Sequence, residues 1–145
     1  MRLDDEQLLH GHNDDVRCVA LRSNGQVASG SWSGSIIIHS TSSNKVEYRA
    51  DNVFDIVIGL CNLPNGSLVA CGYYDEDDED EGTHLKVFSP SLELVQTLVG
   101  HNGSVYCVTV SPSGSHFASG GGDGKVMIWS EPGEGGEWAR DCRPP

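Results

Sequence analysis

The stretch GHNGSVYCVTVSPSGSHFASGGGDGKVMIWS, Gly100 to Ser130, decides the fold. Residues alternate in character from Val105 to Val110, and Ser113-Gly114 ends the run. Phe117 to Gly120 makes a second run, Asp123-Gly124 a second break, and Lys125 to Trp129 a third run. Dipeptides ending in glycine between apolar runs mark tight hairpins, because glycine accepts positive φ and an Asn or Asp before it tolerates the same region. The stretch predicts an antiparallel meander of three short strands.

An earlier stretch repeats it: GHNDDVRCVALRSNGQVASGSWSGSIIIHS, Gly11 to Ser40. His12 matches His101, Val16 matches Val105 and Cys18 matches Cys107. Ser29-Gly30 falls on Ser119-Gly120, Ser33-Gly34 on Asp123-Gly124, and His39 stands where Trp129 stands. The two histidines are 89 residues apart, about twice the ~40–45 of one short four-stranded repeat, so a third unit is expected between them. Its strands are Val57 to Leu63, Leu68 to Gly72 and Leu85 to Phe88. Anchoring this unit on Asp75 puts Val53 at the histidine position, Cys71 at the serine position and Phe88 at the tryptophan position. Lys45 to Arg49 and Leu92 to Leu98 read as outer fourth strands, and Asp4 to Leu9 as one further strand. The expected organisation is three units over about 8–40, 50–89 and 98–130, then a disordered Gly/Pro-rich tail over 131–145.

The Gly-His openings and the closing tryptophan resemble WD-repeat units of a β-propeller. The resemblance implies an all-β fold of four-stranded antiparallel blades. Propellers usually hold four to eight blades. Three units therefore give an open arc, or half of a six-bladed ring in which two copies exchange N-terminal strands. The rival expectation is part of a longer propeller with a structural role. The resemblance also implies that His101, Ser119, Asp123 and Trp129 form a buried hydrogen-bonded chain, with His12 and Ser29 its remnant in the first unit. A catalytic reading of His, Ser and Asp needs a nucleophile facing an open pocket with an oxyanion hole. An interior strand hydroxyl offers neither, so the expectation is a chain that is not an enzyme and has no catalytic residues; a propeller hydrolase is the less favoured alternative.

The formal charge of −12 argues against nucleic acid and anionic membrane as partners. Much of it is local, since Asp75 to Glu81 is an unbroken run of seven acids. Such a run is ordinarily a solvated loop, and it lacks the glycine and terminal glutamate of an EF-hand calcium loop. Cys18, Cys61, Cys71 and Cys107 sit inside apolar runs without CxxC spacing, which reads as packed, reduced thiols; Cys142 lies in the tail. No metal site and no cofactor are expected. Without a signal-like N-terminus or a long apolar run, a cytoplasmic or nuclear setting is the default.

In the family that the chain resembles, partner contacts flank the first valine of each unit and precede the hairpin aspartate. Carried over, these positions are Asp15, Arg17 and Trp32, then Ile56, Ile58 and Tyr74, then Ser104, Tyr106 and Gly122. The function implied is a non-catalytic protein–protein interaction scaffold, with exposed aromatics and arginine as anchors. More narrowly, GHNDDVR near the N-terminus, the poor start of the second unit and LVQTLVGHNGSVYCV are similar to the opening blades of PLAA-type ubiquitin-binding WD-repeat proteins. That similarity implies ubiquitin as a partner, met by Arg17, Ile56, Ile58 and Tyr106.

Overall fold

Glycine-ended turns set the strand boundaries. The computed structural model describes residues 7–73, 85–131 and 137–140. Its strands are β1 (Val16–Leu21), β2 (Gln26–Ser31), β3 (Ile36–Ser40), β4 (Val46–Ala50), β5 (Ile56–Asn62), β6 (Leu68–Tyr73), β7 (Leu85–Phe88), β8 (Leu94–Leu98), β9 (Val105–Val110), β10 (His116–Gly121), β11 (Val126–Ser130) and β12 (Ala139–Arg140). They form three four-stranded antiparallel sheets, ordered β1-β2-β3-β4, β5-β6-β7-β8 and β9-β10-β11-β12. Gly34 and Gly124 hold φ of +82° and +78° in equivalent hairpins, the region where an L side chain is strained. The turns close through Gly34 N–H to the Ser31 carbonyl and Gly124 N–H to the Gly121 carbonyl.

Each sheet is one blade, and strand register makes the blades comparable residue by residue. Val27 pairs with Leu21 and His39, Leu68 with Asn62 and Phe88, and Phe117 with Val110 and Trp129. Because strand side chains alternate between faces, each blade has one face toward its predecessor and one toward its successor. Ala28, Ile36 and Ile38 of the first blade pack on Val57, Leu68, Ala70 and Phe88 of the second. Val69, Cys71, Leu85 and Val87, on the second blade's other face, pack on Val105, Phe117, Met127 and Trp129 of the third. These two seams are the core. Full burial of each large aliphatic or aromatic side chain contributes about 1.5–3 kcal/mol.

At the two ends of the arc the same positions are bare. Val57 and Val105 are both 0% exposed, whereas their first-blade equivalent Val16 is 53% exposed. Ile36 and Leu85 are at most 1% exposed, whereas Val126 in the third blade is 74% exposed. The arc is open among the described residues.

Five expectations are corrected. The segment 131–145 is not disordered throughout: β12 pairs with β11 through Trp129–Arg140 and Ser130–Ala139. Trp138 joins the second seam, its ring 4.9 Å from that of Phe117, and Gln96 locks it through both its backbone N–H and its carbonyl. A single large indole, Trp138, docks residues 138–140, which lie in a stretch whose composition otherwise reads as linker. The fourth-strand position of the last blade is therefore filled, so exchange of N-terminal strands has no vacant edge there. No strand forms over the described part of Asp4 to Leu9, residues 7–9. Cys71 does not occupy the serine position; Ser29 pairs with Val19, Ser119 with Val108, and their equivalent is Ala70, paired with Leu60. A one-residue slip turns a side chain to the opposite face, and Cys71 belongs to the second seam. Finally, Cys107 is exposed rather than packed, because no blade covers that face; Cys71 is buried and Cys18 and Cys61 are partly buried. Burial pushes the Cys71 thiol up to about 12 and Cys18 to about 11. Cys142 lies outside the described residues.

Candidate partner-binding face

The inner strands carry the same irregularity in all three blades. Pairing skips one residue between Val16 and Cys18, between Val57 and Gly59, and between Val105 and Cys107. Arg17, Ile58 and Tyr106 are therefore bulge residues at one repeated position. A β-bulge leaves its extra residue unpaired and re-aims its side chain. The segment just before the first valine of each inner strand is tied to the end of the neighbouring strand or to the hairpin that follows it. Trp32 N–H donates to the Asp15 carbonyl at 3.0 Å, Gly122 N–H to Ser104 at 2.8 Å, and Asp55 N–H to Tyr73 at 2.9 Å. Asp15, Arg17, Ile56, Ile58, Ser104, Tyr106, Trp32 and Gly122 thus lie at one end of the blades.

Exposure differs among them. Trp32 is 50% and Tyr106 55% exposed, large values for aromatic side chains. Asp15, Arg17 and Gly122 are exposed, while Ile56, Ile58 and Ser104 are half-buried. A β-carbon at Gly122 would lie 3.2 Å from Cε2 of Tyr106, so the phenol ring rests over the bare backbone there. Tyr74 and the acidic run Asp75 to Glu81 lie outside the described residues. The register instead puts Tyr73 opposite Ile56, the relation that Trp32 has to Asp15. Anchoring the middle unit on Asp75 misses Tyr73; counting from the Ile56–Tyr73 end of the strand pair finds it.

Below this face lies the polar chain of the third blade. His101 Nδ1 donates to the Asp123 carboxylate, 3.1 Å from both oxygens. The Ser119 hydroxyl donates to His101 Nε2 at 2.8 Å and accepts from the Trp129 indole N–H at 2.9 Å. Asp123 also accepts the N–H groups of Asn102 and Lys125. Burial alone would raise its carboxyl; the Asn102, His101 and Lys125 bonds outweigh that and hold it at about 2. Ser119 is 1% exposed and its oxygen is fully engaged. The arrangement fits a structural brace, not a nucleophile at an open pocket.

The first blade has only part of this brace. His12 Nε2 meets the Ser29 hydroxyl at 2.8 Å. Ser33, in place of the aspartate, bonds Ser31 and Ser35 instead. His39, in place of the tryptophan, donates from Nε2 to the His10 carbonyl at 2.7 Å. Nδ1 of His12 and Nδ1 of His39 are buried without a partner. No group of three or more metal-ligating side chains comes together among the described residues, and no described helix is long and apolar enough to cross a membrane.

The model of the WD domain, G-beta repeat, matches residues 5–40 and 92–130. This chain belongs to the WD-repeat family. Its matches include the ribosome biogenesis protein WDR12 homolog of Chlamydomonas reinhardtii, 45% identical over 64 residues, covering 44% of this chain and 12% of that protein. Telomerase protein component 1 of Mus musculus is 32% identical over 82% of the chain and 4% of its own length. The intraflagellar transport protein 122 homolog of Danio rerio is 37% identical over 63% of the chain and 7% of its own length. Among solved structures, the β-propeller domain of Cps50 (Swd1) from Myceliophteria thermophila aligns over 92% of this chain and 40% of that one, with TM-score 0.69 and 16% identity. The WD-repeat chain thus spans 4–12% of these three relatives' length. Its three four-stranded sheets form an open β-propeller arc.

Proposed function

We propose that this WD-repeat arc is a non-catalytic scaffold that binds protein partners through the bulge face. The observation that carries the reading is the threefold recurrence of the bulge at Arg17, Ile58 and Tyr106, flanked by Asp15, Ile56, Ser104 and the exposed indole of Trp32. Rigid aromatics give large contact area at low entropic cost, and together with arginine they dominate the energetics of protein interfaces. Combined Trp32→Ala and Tyr106→Ala substitution should reduce captured partners at least ~10-fold, about 1.4 kcal/mol, at an unchanged melting temperature. Equal capture by the variant would refute the assignment of this face. Tyr74, as the neighbour of Tyr73, belongs to the same proposal.

The finer proposal is ubiquitin, whose apolar patch would meet Ile56, Ile58 and Tyr106 with Arg17 at the rim. Titration of labelled protein with ubiquitin should move the amides of these residues; no perturbation at millimolar ubiquitin ends that proposal. A cytoplasmic or nuclear site of action is part of the same reading.

The open ends favour a second reading. The bare face of the third blade, Val126 and Ile128, is repeat-equivalent to faces that the first two blades bury completely. The bare face at Val16 is equivalent to those buried by the second and third. Two copies placed head to tail would reproduce the existing seams twice and give six blades. Light scattering at twice 15.6 kDa is the expected result, and a monomeric mass at high concentration rejects it.

A further inference from the structure

Arg22 is an unexplained buried cation at the other end of the blades. It follows β1, whereas the bulge face lies at the start of that strand. Arg22 is 9% exposed, and no carboxylate pairs with it among the described residues. A guanidinium carries five N–H donors. Here one Nη donates to the Gly66 carbonyl and the other makes a long 3.4 Å bond to Asn62 Oδ1, while Nε is buried without a partner. Burial lowers its pKa from the ordinary arginine value. A buried charge without a counter-charge is costly, so the site is incomplete as it stands.

Arg22 lines a cavity of about 120 Å³ together with Asn24, Asn62 and Gly66. That space exceeds several water volumes and suits a small ionised group. A second cavity of about 290 Å³ adjoins it, sharing Ser23, Asn62, Leu63 and Pro64. Its further walls are Leu21 from the first blade and Val110, Ser111, Pro112 and Gly114 from the third, so Leu21, Val110 and Pro112 add apolar surface. Leu21 is 80% exposed. The two cavities form one groove across the three blades, cationic at one end and apolar at the other.

We infer that this groove is a second peptide-binding site, taking a carboxylate at Arg22 and an adjacent apolar side chain between Leu21, Pro64 and Val110. One positive charge balances one carboxylate, whereas a phosphate dianion would need a second cation that neither cavity wall supplies. The planar guanidinium fork matches a carboxylate geometrically. Asn62 already bridges the blades, donating to the Leu21 carbonyl at 2.6 Å and accepting from Arg22, so the site is held by the same seam that holds the fold.

Three peptides test this on the full chain by amide shifts of Ser23, Asn62 and Gly66. Acetyl-Gly-Glu-Leu-Gly-amide places the carboxylate on a side chain, acetyl-Gly-Leu with a free carboxyl places it at a chain end, and acetyl-Gly-Gln-Leu-Gly-amide is the neutral control. Saturable shifts with either acid peptide, at least tenfold weaker with the glutamine peptide, are expected; the tighter acid peptide assigns the source. Arg22→Lys should weaken binding by about tenfold, and Val110→Ser, away from the charge, by a few fold. Equal binding of the glutamine and acid peptides, or no saturable shift with any of them, overturns the inference. Should Arg22→Lys fail to fold, the Val110→Ser variant and the glutamine control decide the question alone.

Discussion

The first and last blades share a strand pattern and each packs on the middle blade through one seam, but their polar chains differ. The last blade has the complete chain of Asp123, His101, Ser119 and Trp129, yet its outward face is bare at Val126 and Ile128. The first blade buries that same face at Ile36 and Ile38 against its successor, yet its polar chain leaves two imidazole nitrogens without partners. Each end blade keeps one packed seam and lacks a neighbour on its other side; the polar chain is complete in the last blade and incomplete in the first. A repeat thus tolerates an incomplete polar chain while its seam remains.

The strongest way to break the comparison is through the paired hairpin glycines. A β-carbon on Gly34 would lie 1.9 Å from the Phe54 carbonyl oxygen, whereas one on Gly124 meets nothing within 4 Å. Both share the same positive φ, which costs alanine about 1–2 kcal/mol. Gly124→Ala should lose only that amount, while Gly34→Ala should lose more than about 4 kcal/mol or fail to fold. Comparable urea midpoints for the two variants would show that the first seam yields easily. Next in size is the pair Leu85→Ala and Val126→Ala, at equivalent positions. Truncating the buried leucine should cost about 3 kcal/mol, and truncating the exposed valine within about 0.5 kcal/mol. A large loss at Val126 would instead mean that its face is covered in solution, as the two-copy ring requires.

Much of this was readable from the residues. Asn-Gly, Ser-Gly and Asp-Gly pairs bounded the hairpins, and Val105–Val110 and Leu85–Phe88 emerged with the expected ends. The middle blade was less legible because its spacing to Asp75 does not report its register: the strand pairing places Ala70 where counting back from the aspartate gave Cys71, and it puts Tyr73 opposite Ile56. β12 was missed because two strand residues beside one tryptophan give no periodic signal; only the docking of Trp138 on Phe117 defines that strand. The bulge positions followed from the family resemblance, but their common cause, a skipped residue in each inner strand, is visible only in the pairing. Arg22 carried no sequence signal at all, since burial of a cation depends on the blade packed beside it.

The two polar chains give the next pair of predictions. Asp123→Ala strands His101 Nδ1 and the Asn102 and Lys125 N–H groups and should cost about 2–3 kcal/mol. Ser33→Ala removes hydroxyl bonds to Ser31 and Ser35, which keep the Ser33 N–H and the Asp51 carboxylate as partners, and should cost less than about 1 kcal/mol. Equal denaturation midpoints would mean that the completeness of the chain has no energetic weight.

The smallest effect separates the two blades by pH. In the first blade, burial, then the positive charge of Arg49 and the neighbouring His39, lower the His12 pKa below 6.5 against the raising effect of Ser29. The unfolded chain then binds the proton more readily than the folded one, so stability is full above about pH 6.5 and declines as pH falls below it. In the third blade, Asp123 has a folded pKa of about 2, below its ordinary 3.8. Its contribution is therefore present above about 3.8 and lost only as pH falls toward 2. Urea midpoints measured from pH 8 to pH 5 should drop on the order of a few tenths of a molar. His12→Gln should flatten part of that decline, because glutamine presents no proton site beside Arg49. Asp123→Asn should leave the decline intact, since its own limb lies at lower pH. A decline unchanged in His12→Gln would shift the acid sensitivity away from the incomplete chain of the first blade, and with it the contrast between the two ends of the arc.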